Sequence, residues 1–148
     1  MCGIVRLIKY DELRELLNLY RQLQPNDPNV YENKDLKDIW DSIYNDPNLC
    51  YIVVEVEGRL VSSCNISIIK NLTRNLRPYG LIENVITDLN HRKKGYATKA
   101  LNMAVEIAKG SNCYKVMLLT SSKKEETLKF YEQAGFIRGK KTGFIKNL

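Results

Sequence analysis

Between Tyr79 and Ala108, an apolar, β-branched segment with one carboxylate in its middle, Glu83, runs into the turn Leu89-Asn90-His91-Arg92-Lys93-Lys94-Gly95-Tyr96-Ala97. The turn opens directly into an amphipathic run that reaches Ala108. A strand, a basic glycine turn and a helix in that order make an anion site. The first N–H groups of a helix lack intrahelical acceptors, and the helix dipole places partial positive charge at the same end. A phosphate docked there meets both. Gly95 lets the backbone approach without a Cβ, and Arg92, Lys93 and Lys94 add full charges around the rim.

Arg92-x-x-Gly95-x-Ala97 resembles the R/Q-x-x-G-x-G/A signature of the GCN5-related N-acetyltransferases, and Phe130-Tyr131-Glu132-Gln133-Ala134-Gly135-Phe136 resembles that family's closing F-Y-E-x-x-G-F segment. The resemblance implies acetyl-CoA as co-substrate, its pyrophosphate held by the turn, and no metal. It assigns cofactor contacts to Val85, Ile86 and Thr87, to Arg92, Lys93, Lys94, Gly95, Tyr96, Ala97 and Thr98 in and after the turn, and to Ser122. Acetyl transfer to an amine needs a neutral nitrogen, a held oxyanion and a proton for the departing thiolate. A lysine-like amine, pKa about 10.4, arrives protonated near neutral pH, and a carboxylate can remove that proton directly or through water. Glu83 is the candidate base or substrate anchor. Burial in its apolar strand is expected to raise its pKa, and the two-residue period sets it on one face with Leu81, Val85 and Thr87. By resemblance, Tyr131 supplies the thiolate's proton and a backbone N–H near Val85 holds the oxyanion, on a strand that splays from the next.

Within the family, Ile82-Glu83-Asn84-Val85 and Asn112-Cys113-Tyr114-Lys115-Val116 look like segments of glucosamine-6-phosphate N-acetyltransferases. Two departures stand against that closer match. Those enzymes carry an acid near the end of the following strand, where this chain has Leu118, Leu119 and Thr120, and no asparagine occurs from Ser121 to Glu126. The leading reading is transfer to the primary amine of a small molecule, an amino sugar or amino-sugar phosphate among the options. A protein or peptide acceptor, a non-catalytic acyl-CoA sensor and a basic nucleic-acid-binding domain are the alternatives. Retention of Glu83 and Tyr131 argues against the sensor.

The elements that must position these residues follow from pattern. Gly3 to Ile8 reads as a strand; Leu13, Leu16, Leu17 and Tyr20 stripe a first helix to Leu23; Gln24 to Asn29 is a loop suited to substrate specificity. Leu36, Ile39, Trp40, Ile43 and Tyr44 stripe a second helix with Trp40 as core anchor. Leu49 to Glu57 and Leu60 to Ile69 form a hairpin about Gly58, and Asn71 to Pro78 is a loop carrying Arg74 and Arg77, which either face an anionic substrate or are solvated. Ala97, Ala100, Leu101, Ala104 and Ala108 give the third helix a small face for close packing on a sheet. Cys113 to Thr120 is a strand, Ser122 to Glu125 fits a capping box, Gly135 ends the fourth helix, and Phe136 to Ile145 reads as a last strand. The expected fold is α/β (α+β), strand-helix-helix-strand-strand-strand-helix-strand-helix-strand. That is the resembled family's central mixed, mostly antiparallel sheet of about six strands flanked by four helices.

At 148 residues the chain suits a single domain over 1–148, and 44% hydrophobic with 27% charged residues is ordinary for a soluble globular protein. A net charge of +6 calls for an anionic partner, and its spread along the chain favours a local phosphate site over a nucleic-acid face. Cys2, Cys50, Cys64 and Cys113 are far apart and His91 is the single histidine, so neither a metal site nor a disulfide framework is expected, only buried reduced thiols. The first residues lack the pattern of a signal peptide, and the longest apolar run, Leu49 to Val54, is too short to cross a bilayer. A cytoplasmic protein with no membrane partner is expected. Members of the resembled family often pair through sheet edges, which makes a homodimer an expectation as well.

Overall fold

The computed structural model describes residues 2–148. Its centre is a five-stranded sheet in sequence order: β1 (Ile4–Leu7), β2 (Leu49–Val56), β3 (Arg59–Ile69), β4 (Tyr79–Thr87) and β5 (Val116–Leu118). The first four strands are antiparallel and β5 joins β4 in parallel. Helices α1 (Leu13–Leu23) and α2 (Lys34–Tyr44) belong to the core on one face, and α3 (Tyr96–Gly110) and α4 (Glu125–Gln133) to the core on the other. The mixed, mostly antiparallel sheet and its four helices match the sequence expectation. The sixth strand does not form: Phe136 to Ile145 takes no strand pairing, and Phe144 and Ile145 stand almost fully exposed. Alternation there describes a segment able to pair, and β5 ends after three residues without presenting it a ladder.

Each face follows from residue type. Ala100, Leu101, Ala104 and Ala108 of α3 are buried against Ile52, Val54, Cys64, Ile66 and Ile82, the small side chains letting the helix lie close to the strands. Leu16 and Leu19 of α1 and Trp40 of α2 cover Val53, Leu60 and Ile86 on the opposite face. The Trp40 indole donates to Tyr10 O at 2.9 Å, so the ring is the core anchor expected for it. The β2–β3 hairpin turns on Glu57 (φ 51°) and Gly58 (φ 78°), a two-residue left-handed turn whose twist suits the strands. Arg74, Asn75 and Leu76 form one left-handed turn before β4. The Arg74 guanidinium lies 5.6 Å from the Tyr114 ring centre, and Arg77 donates to the carbonyls of Asn112 and Cys113. These two arginines tie the loop to the chain entering β5. Of the four cysteines, all free, only Cys64 is buried, with its thiol pushed up to about 12 by desolvation.

An ion cluster pins β1 to the start of α1. Arg6 donates to Glu12 at 2.6 and 2.9 Å and to Glu55 at 2.6 and 3.1 Å, all three side chains being largely shielded. Arg6, above all, holds the Glu12 carboxyl below its ordinary 4.5. A depressed carboxylate contributes stability above its unfolded pKa and loses it as pH falls through the lower folded value. Glu12→Gln is therefore expected to lower unfolding free energy by about 1–3 kcal/mol at pH 7, with the gap to the native chain closing below pH about 4. Urea unfolding at both pH values checks this.

Candidate active site

The central fact of the site is one extra residue. Ser63 pairs with Ile86 and Asn65 with Glu83, so Asn84 and Val85 together oppose the single Cys64. Asn84 takes φ 53° to accommodate the bulge. Alternation is thereby reset along β4. Ile82 packs in the α3/α4 core and Ile86, four residues on, in the α1/α2 core, while Val85 joins Ile82's face. Leu81, Glu83, Val85 and Thr87 are therefore not on one face, contrary to expectation. Glu83 is also exposed rather than buried.

The bulge also changes which backbone groups meet which neighbour. Gly80 N–H donates to Lys115 O, so even-numbered residues before the bulge address β5. After it, Asp88 N–H donates to Val61 O and Ile86 O accepts from the Ser62 hydroxyl at 2.9 Å, so even-numbered residues address β3. Val85 and Thr87 are left facing the β5 side, where pairing has already ended at Ile82 and Leu118. No ladder joins β4 to β5 beyond that point, and the backbone of Val85 and Thr87 faces that side. Ile86, included by resemblance among the cofactor contacts, turns its backbone the other way and buries its side chain.

Beyond β4, Asp88 organises the turn. Its carboxylate accepts from Gln22 of α1 at 2.8 Å and from the Asn90 N–H at 3.1 Å, and lies 2.7 Å from His91 Nδ1. Gln22 foremost, then His91, hold that carboxyl below its usual range. Gly95 enters α3 at φ 81°, and a Cβ there would meet nothing within 4 Å. The opening in front of the helix is thus free for an anion, and Arg92, Lys93 and Lys94 are exposed around it. Lys93 lies 3.6 Å from Glu126 in the first turn of α4, so the starts of both helices flank this opening. Arg92 Nε reaches back to Thr87 O at 3.4 Å. Tyr96 is core, buried against the sheet, whereas Ala97 and Thr98 are half-buried in the first turn. The expected capping box is absent: α4 starts at Glu125 without a side-chain cap, and the Ser122 hydroxyl accepts instead from Lys124 N–H at 3.3 Å.

Tyr131 lies on the α3/α4 side, packed edge-on against Phe130 at 5.1 Å and Phe136 at 6.5 Å. Burial raises its phenol pKa, with Cys64 and the Glu83 carboxylate adding to the effect. Tyr131 thus lies within electrostatic reach of the Glu83 carboxylate. On the α1/α2 side the pairing sets Tyr51, Asn65 and Glu83 in one row over three strands, under Tyr20 of α1. Sequence reasoning passed over Tyr20, Tyr51 and Asn65; the amide set between Cys64 and Ile66 in a buried strand was the available signal. Among the described residues, no group of His, Cys, Asp and Glu side chains is arranged to hold a metal ion.

A family model described as the acetyltransferase (GNAT) family matches residues 11–136. A glucosamine 6-phosphate N-acetyltransferase of Trypanosoma brucei brucei is 38% identical over 79 residues, covering 53% of this chain and 52% of that protein. An N-alpha-acetyltransferase 30 of Xenopus laevis is 30% identical over 102 residues, covering 67% of this chain and 35% of that one. The chain thus spans about half the length of the first relative and about a third of the second. Among solved structures, a candidate acetyltransferase from Agrobacterium tumefaciens strain C58 superposes with a TM-score of 0.90 at 35% identity, covering 97% of this chain and 99% of that one.

Proposed function

The chain belongs to the acetyltransferase (GNAT) family, and we propose that it is an N-acetyltransferase that transfers the acetyl group of acetyl-CoA to the primary amine of a small molecule by direct attack. One observation carries the reading: β4 leaves its pairing with β5 after Ile82, next to Glu83, and the rest of the strand leads to the exposed basic start of α3. Gly95, Ala97 and Thr98 at the start of α3, with Arg92, Lys93 and Lys94, suit a diphosphate, and the Val85 and Thr87 edge suits the amide-bearing pantetheine arm. Glu83, open to solvent on the α1/α2 side, takes the amine's proton directly or through water. Val85 N–H meets the charge that develops on the carbonyl oxygen. Tyr131, kept protonated by burial, gives its proton to the departing thiolate, whose parent thiol titrates near about 8.5.

The likeness to an N-alpha-acetyltransferase supports a second reading, a peptide α-amine as acceptor. Thiol release from acetyl-CoA separates the two when glucosamine 6-phosphate, glucosamine, spermidine and a short peptide with a free α-amine are supplied in turn. Release with the small amines is the expected result. Release with the peptide alone would transfer the assignment to the second reading, and release with none would leave a non-catalytic acyl-CoA binder.

A further inference from the structure

The α1/α2 face carries a polar group that packing alone does not explain. The Tyr20 hydroxyl is buried and has no hydrogen-bond partner among the described residues. Leaving such a group unmet costs about 1–3 kcal/mol, and phenylalanine would fill the same space without that cost. Desolvation raises the hydroxyl's pKa, and the Asn65 and Asn84 amides are near enough to offset part of that, yet neither stands in hydrogen-bonding geometry to it. Beneath it lies the row Tyr51, Asn65, Glu83, in which Tyr51 is half-buried, Asn65 buried and Glu83 exposed. Neighbouring strands are about 4.8 Å apart, so Asn65 sits one strand spacing from the residue assigned to the amine.

We propose that Tyr20, Tyr51 and Asn65 form an acceptor-selecting wall beside Glu83, and that this wall takes an amine with a neutral hydroxyl on a nearby carbon, an amino alcohol or amino sugar, in preference to a bare alkylamine. The inference rests on the acetyl-transfer reading for Glu83 and adds the residues that choose the acceptor. Its chemistry follows from the groups present. Glu83 supplies the one charge in the row, matched to an ammonium or to the amine it yields. Phenol and amide are uncharged and both donate and accept, which suits a hydroxyl, a group that does the same. No cation belongs to the row; Arg14, Arg21 and Lys37 line a separate groove between α1 and α2. A phosphate on the acceptor would therefore be met elsewhere. A site built to pair a substrate hydroxyl discriminates against the analogue without one, because its own polar groups are then left unpaired.

The test compares glucosamine with cyclohexylamine on the native chain and on Tyr20→Phe. Binding is read by calorimetry with coenzyme A present, acetyl transfer by thiol release, and folding by thermal unfolding. The native chain is expected to bind glucosamine roughly fivefold or more tighter than cyclohexylamine, and Tyr20→Phe to bring that ratio near one. The variant's thermal midpoint should stay level or rise, since no protein group loses a partner. A native chain that binds neither amine or shows no preference would overturn the wall, as would a Tyr20→Phe variant that keeps the preference. A preference that Tyr20→Phe removes, with no thiol released from any mixture, would uphold the wall and refute acetyl transfer.

Discussion

Tyr131→Phe is expected to slow turnover about 10²-fold while leaving acetyl-CoA affinity nearly intact. The ring is held by edge-on contacts to Phe130 and Phe136 and by the α3-side core, and phenylalanine keeps all of these. What goes is the O–H. Burial keeps that phenol protonated well past neutrality, so it arrives at each turnover with a proton to give. The sign of the pH effect follows. The protonated form is the active one and its pKa is raised, so the native rate should decline only above pH about 10, and the variant's profile should lose that alkaline limb. Steady-state rates across pH 7 to about 11 check both points, and an unchanged rate in Tyr131→Phe would remove it from the donor role.

Gly95→Val is expected to weaken acetyl-CoA binding by roughly tenfold or more. At φ 81° a residue with a Cβ is strained by about 1–2 kcal/mol, and a β-branched one is hindered further. The new atoms would also project into the open space before α3. Gly95→Asn separates the two causes, because asparagine tolerates the left-handed region while still placing atoms in that space. Calorimetric titration with acetyl-CoA should find both variants weakened, whereas thermal unfolding should find only the valine variant clearly destabilised. Native-like affinity in both would contradict the assignment of the turn to the diphosphate.

Local chemistry made much of the fold readable. The hairpin at Gly58 and the alanine face of α3 depend on residues near in sequence and formed as expected, while α3 already begins at Tyr96, inside the stretch expected as turn. The features that were not readable depend on a partner strand. Nothing local tells that Asn84 and Val85 share one opposite residue, and that pairing is what sets Glu83 and Val85 on opposite faces. The role of Arg74 depended on Tyr114, forty residues away, and that of Ser122 on how its own hydroxyl turned. The acceptor-side row is of the same kind: Tyr51, Asn65 and Glu83 become neighbours only through register.

Removing Asn84 would give β4 a smoother ladder, with each residue opposite one mate. It would leave the side chains downstream where they are: Val85 alone would oppose Cys64, still on the α3 side, and Ile86 would keep its place opposite Ser63 and toward α1. What the odd residue contributes is local: a left-handed step at Asn84 that bends the strand just past its last pairing with β5 at Ile82.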